Sequence, residues 1–111
     1  MLSGLDVAAI RHFCEQRIPP HALDQVRLEA RESRGAVTIV ERRAPWREDY
    51  GPDWTTSPVA RFRHTAKTRL WTLYWRDRNG RWHLYDLKRP TADILALLDE
   101  VDRDPTGIFW G

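Results

Sequence analysis

Leu70-Trp71-Thr72-Leu73-Tyr74-Trp75-Arg76-Asp77-Arg78-Asn79-Gly80-Arg81-Trp82-His83-Leu84-Tyr85-Asp86-Leu87 is the stretch that decides the fold. Two aromatic-rich runs flank Asn79-Gly80, the preferred pair for a two-residue type I′ turn, so the spacing predicts a β-hairpin with strands at 70–77 and 82–87. Such a turn sets Arg78 opposite Arg81, Asp77 opposite Trp82, Arg76 opposite His83, Trp75 opposite Leu84 and Tyr74 opposite Tyr85. Alternation then assigns Trp71, Leu73, Trp75, Trp82 and Leu84 to a core face. Thr72, Tyr74, Arg76, His83 and Tyr85 fall on the other face. That second set joins amphipathic rings to a guanidinium and an imidazole, the chemistry of a half-exposed or ligand-facing surface.

Working outward, Ala60, Phe62 and His64 alternate with Arg61 and Arg63, which predicts a strand at 59–65 whose arginines join the same polar face or line its edge. Upstream, alternation predicts strands at 25–32 and 36–43, with Ser33, Arg34 and Gly35 as the turn. The interval 44–58 carries Pro45, Gly51, Pro52 and Pro58 as breakers, yet also Trp46, Tyr50 and Trp54. Ordering a loop of that length costs entropy, so its rings are expected either to cap the core or to contact a partner. At the N-terminal end, Val7, Ile10 and Cys14 recur at helical spacing over 5–17, with Ser3 or Asp6 as cap, and Pro19-Pro20 stops the helix. At the other end, Thr91 can cap a helix at 92–103 whose stripe is Ile94, Leu97, Leu98 and Val101. The tail 106–111 carries no charged side chain, so Ile108, Phe109 and Trp110 are expected to pack back or to dock on another chain. The order helix, about five antiparallel strands, helix predicts one α+β domain over 1–111, with both helices covering the apolar face of the sheet.

Composition narrows the class further. The chain has 111 residues, of which 41% are hydrophobic and 31% charged, enough apolar surface for one core. Apolar runs such as Val7–Ile10 and Ile94–Leu98 fall far short of the roughly 20 residues needed to span a bilayer. No secretion signal is evident at the N-terminus, so a cytoplasmic location and no membrane partner are expected. The lone Cys14 allows no internal disulfide. Net charge is only +2, yet Arg61 to Arg89 holds nine Lys or Arg against two acids, a local balance of +7. An anionic partner is the functional reading of that asymmetry. A solvated face filled by arginine-rich codon usage is the plain one, since 16 of the 18 basic residues are Arg.

Catalytic signals are sparse. His12 and Cys14 point to different sides of a helix, and His21, His64 and His83 have no paired spacing, so no metal site is expected. There is no glycine-rich phosphate loop and no nucleophile elbow, and no cofactor is expected. Pro52-Asp53 followed by Asp86-Leu87-Lys88 formally imitates the carboxylate and lysine arrangement of metal-dependent nucleases, the enzymatic alternative. Glu29 and Glu41 could add carboxylates to it. The better-supported reading is non-catalytic binding of nucleic acid or another anionic ligand by Tyr74, Arg76, His83, Tyr85, Arg61 and Arg63, rings stacking bases and arginines neutralising phosphates. The alternative is a protein partner or a homodimer held through Trp46, Tyr50, Trp54, Phe109 and Trp110.

The tryptophan-rich hairpin of residues 70–85, together with the ending Asp104-Pro105-Thr106-Gly107-Ile108-Phe109-Trp110-Gly111, resembles the bacterial family catalogued as domain of unknown function 3024. The likeness covers most of the chain, and its arginine usage is similar to that of high-GC actinobacterial members. The resemblance implies a small bacterial cytosolic protein and brings no activity or catalytic residue to carry over.

Overall fold

A computed structural model describes residues 2–45, 49 and 51–111 of the chain. Helix α1 (Gly4–Arg17) is followed by a short 3₁₀ turn at Pro20–Ala22 and by strands β1 (Val26–Ser33), β2 (Ala36–Arg43), β3 (Thr55–Thr65), β4 (Leu70–Arg76) and β5 (Trp82–Leu84), then by helix α2 (Ile94–Arg103). The strands form one antiparallel sheet in the order β1-β2-β3-β4-β5, so the expected α+β architecture is the observed one.

Each boundary has a local cause. Ser33 pairs with Ala36 across a two-residue turn in which Gly35 takes a φ of 69°, a value that costs glycine little. Strand β3 begins four residues earlier than the alternation suggests, because Thr55, Thr56 and Ser57 pair with Arg43, Arg42 and Glu41. Pro58 is tolerated there because a bulge between Ile39 and Val40 breaks the ladder beside it. Strand β5 ends at Leu84 rather than 87, and the following chain runs into a bridge between Thr91 and Trp71. That bridge occupies Thr91, so Asp93 caps α2 instead, its carboxylate accepting from Leu95 N–H at 3.0 Å.

The core lies between the helices and one face of the sheet. Val7, Ile10 and Cys14 from α1 and Ile94, Leu97, Leu98 and Val101 from α2 meet Val37, Ile39, Phe62, Trp71 and Leu73. Trp71 is fully buried, and its indole N–H donates to the Asp6 carboxylate at 2.8 Å, which satisfies the one polar atom of the ring. Asp6 therefore ties the first turn of α1 to the start of β4.

The hairpin register departs from expectation. Asp77 N–H donates to Arg81 C=O at 2.9 Å and Gly80 N–H to Asp77 C=O at 3.0 Å, so the loop holds three residues, Arg78-Asn79-Gly80, with Gly80 at a φ of 85°. The cause is the Asp77 carboxylate, which accepts from Asn79 N–H at 2.9 Å and Arg81 N–H at 3.0 Å and folds the chain around itself before a type I′ turn can form. Tyr74 now faces Leu84, Trp75 faces His83 and Arg76 faces Trp82. A one-residue slip exchanges the faces of a whole strand. Trp82 and Leu84 leave the core face, and His83 joins Trp75 on it, stacked at 4.6 Å between ring centroids.

Candidate functional site

Both helices pack on the same side of the sheet, and no described element covers the opposite side. Register and alternation place Arg27, Glu29 and Arg31 of β1 on that open face. Thr38 and Arg42 of β2, Arg61 and Arg63 of β3, Thr72, Tyr74 and Arg76 of β4, and Trp82 and Leu84 of β5 lie beside them. Among the described residues, six arginines thus share a surface with one carboxylate, Glu29, which contacts Arg31 at 3.2 Å and Arg42 at 3.5 Å. Among the described residues Arg27, Arg61, Arg63 and Arg76 have no carboxylate partner. Opposite charge is concentrated on the helix side, where Asp99 and Asp102 are exposed on α2.

The rings on this face are held by guanidinium groups. Arg61 Nε donates to Thr38 Oγ1 at 3.1 Å, and its guanidinium carbon lies 4.4 Å from the centroid of the Trp82 ring. Burial, and then the charge of Arg63 on the same face, push the Arg61 pKa down from its ordinary value. Near the other end of the face, Trp54 sits against Arg27 at 4.8 Å and Arg42 at 5.8 Å. Tyr74, directly opposite Arg61 in the ladder, is half-buried, as are Trp54 and Trp82. Arg76 packs its guanidinium over the turn, where a Cβ on Gly80 would lie 2.8 Å from Nη2.

Of the six residues expected to bind a ligand, the structure brings Arg61, Arg63, Tyr74 and Arg76 onto one face and removes two. His83 lies on the other face, its Nε2 2.7 Å from Asp77 Oδ2. That contact, with the Arg81 and Asn79 amides, holds the Asp77 carboxyl down at about 2. Tyr85 lies beyond the end of β5 and is 3% exposed, its hydroxyl donating to Glu100 Oε2 at 2.7 Å under α2. Burial, and then that hydrogen bond, push its phenol up to about 12. Missed were Trp82, assigned to the core by the two-residue turn, and the Arg27–Arg42 pair around Trp54. The Asp two residues before Asn-Gly was the available signal for the first. Counting back from the Arg34-Gly35 turn sets Arg27 opposite Arg42 and supplies the second.

The residues expected to contact a partner divide as well. Trp46 and Tyr50 lie outside the described residues. Phe109 is 8% exposed and packs on Tyr85 with centroids 5.2 Å apart, so it belongs to the core rather than to an outer surface. Trp110 donates its indole N–H to Val101 C=O at 2.7 Å and lies under the Arg17 guanidinium at 4.0 Å. Asp104, left-handed at a φ of 42°, closes α2 and accepts the Phe109 and Trp110 amides at 3.1 and 2.9 Å, which folds the uncharged tail back on the helix end. Cys14 is buried, and that burial pushes its thiol up to about 12, the condition of an inert packing residue.

The carboxylates of the enzymatic alternative are not brought together. Asp53 precedes the start of β3 at Thr55, whereas Asp86 follows the end of β5 at Leu84, which stands at the level of Tyr74 and Arg61, and those two strand ends are already about 20 Å apart along β3 at about 3.3 Å per residue. Among the described residues no group of three or more His, Cys, Asp or Glu is placed to hold a metal ion, and no helix is long and apolar enough to cross a membrane.

Residues 2–111 match the family described as domain of unknown function (DUF3024), and the chain belongs to it. Searches of curated proteins and of solved structures found no match.

Proposed function

We propose that this member of the DUF3024 family is a non-catalytic cytoplasmic binding module whose open sheet face takes nucleic acid. The observation that carries the reading is the segregation of the two sheet faces. One is sealed by helices, and the other, among the described residues, sets six arginines and three half-buried rings against a single carboxylate. A purely solvated face has no need of indole rings held under guanidinium groups. Arginines clustered beside rings on a sheet supply the two things a nucleic acid asks for, phosphate neutralisation and a surface for bases.

The test is a salt titration of binding to mixed-sequence DNA and RNA. The full chain is compared with Arg63→Glu/Arg76→Glu and with Arg11→Glu, a control on the helix side. The reading expects salt-sensitive binding that the double substitution abolishes and the control leaves within about two-fold. Equal loss in both, or no binding at low salt, refutes it.

A further inference from the structure

We infer that the open face takes its nucleic acid as a single strand of about four to six nucleotides, with Arg61 gripping a phosphate and Tyr74 and Trp82 stacking bases. This rests on the reading above and narrows it. Arg61 is not a loose surface charge. Its Nε is tied to Thr38, itself only 9% exposed, and its guanidinium carbon is held over the Trp82 ring. Those contacts fix the guanidinium without a carboxylate among the described residues to neutralise it, and Arg63 adds a second cation two residues along the same face. A phosphodiester presents two terminal oxygens, which suit the in-plane donors of an arginine already immobilised.

The rings decide the form of the strand. In a duplex the faces of the bases are taken by their stacking neighbours, so protein rings reach them only when the bases are unpaired. Tyr74 directly opposes Arg61, and Trp82 stands on the adjacent strand, so both lie within one nucleotide's reach of the phosphate anchor. Shape points the same way. The major groove, about 12 Å wide, admits a helix or a two-stranded ribbon. This face is five strands wide, roughly 19 Å at about 4.8 Å per strand. The helices offer no substitute, because α2 exposes Asp99 and Asp102. From Trp82 on β5 to Trp54 over β1 and β2 is three to four strand spacings, about 14–19 Å, which about four to six nucleotides cover at the ~3.4 Å spacing of a stacked strand.

Fluorescence anisotropy on the full chain tests this, with labelled oligo-dT and oligo-rU of increasing length, a 12-bp duplex, and inorganic polyphosphate as competitor. Affinity is expected to climb with length and level off at about four to six nucleotides, and to exceed that for the duplex by about ten-fold or more. Tyr74→Ala and Trp82→Leu are each expected to weaken single-strand binding on the order of ten-fold. Arg61→Met is expected to flatten the log-log salt slope by about 0.7, the value of one lost phosphate contact. Circular dichroism confirms that each variant is folded, and Tyr74→Leu replaces any Tyr74→Ala that is not. Equal binding of single strand, duplex and polyphosphate, insensitive to Tyr74, overturns this inference while leaving the face a polyanion site. No binding of any probe at low salt overturns both.

Discussion

Removing a single oxygen, in Tyr85→Phe, separates a core tyrosine from a ligand-facing one. The hydroxyl donates to Glu100 Oε2 at 2.7 Å, while the other carboxylate oxygen receives Arg103 Nη2 at 3.1 Å. Tyr85 and Glu100 are 3% and 5% exposed. A phenylalanine keeps the ring and its packing on Phe109, so the loss isolates one hydrogen bond to a buried charged acceptor, about 1.5–3 kcal/mol. For a chain of this length that is a fall of roughly 6–12 °C in Tm. Urea unfolding followed by tryptophan fluorescence at pH 7 reads the same quantity as a midpoint shift with unchanged slope. There is an alkaline signature too. The native phenol is pushed from 10.0 up to about 12, so above pH 10 the unfolded chain loses a proton that the native chain retains. Stability present below pH 10 is therefore lost progressively as pH rises towards about 12. Tyr85→Phe should lack that part of the slope. A loss under about 0.5 kcal/mol, with the alkaline slope unchanged, would refute the buried pair and return Tyr85 to the candidate ligand residues.

Three further outcomes follow from the same geometry. Asp77→Ala is expected to unlock the hairpin turn. In the parent chain, native contacts of a carboxylate held down at about 2 are fully present above pH 4 and lost as pH falls through about 2, which amide shifts of Asn79 and Arg81 would report. Deleting Ile108–Gly111 removes buried Phe109 and both amide donors of Asp104 and is expected to cost on the order of 3–5 kcal/mol, read as a lowered Tm at unchanged sedimentation. A stable truncated chain that had lost a dimer would instead place the tail at an interface. Finally, Cys14 should resist a thiol reagent in the native state and react in urea, and prompt labelling of the folded chain would show that α1 does not seal it.

The fold was legible wherever a pattern repeated. Val7, Ile10 and Cys14 on α1, Ile94, Leu97, Leu98 and Val101 on α2, Ala60 and Phe62 on β3, and Trp71 and Leu73 on β4 all reappear as core positions. It was less legible where one side chain overrode a backbone preference. Asn79-Gly80 favours a two-residue turn, but the Asp77 carboxylate offers two nearby amides a partner, and the loop grows by one residue. That single residue decides whether Trp82 meets the core or solvent, so the error in the site followed from the error in the turn. Arg61, Arg63, Tyr74 and Arg76 still share one face because their strands are aligned independently of that hairpin, through β2 and β3. Tyr85 could not be placed from the chain alone, since its partner Glu100 is 15 residues away on a helix whose outer face reads as acidic.

The sequential strand order has a kinetic meaning. Every ladder in the sheet joins strands that are neighbours in sequence, so no pairing closes more than the 11 residues between Arg43 and Thr55 and the sheet can zip from hairpin to hairpin. The helices obey the opposite logic. Arg17 on α1 and Asp102 on α2 meet across a sequence separation of 85, a closure whose entropy cost falls once the sheet has drawn the two ends together. Substitutions in the β2–β3 ladder should therefore slow folding, whereas those at the α1–α2 contact should chiefly hasten unfolding, which makes the helix pair the timekeeper of the native state's lifetime.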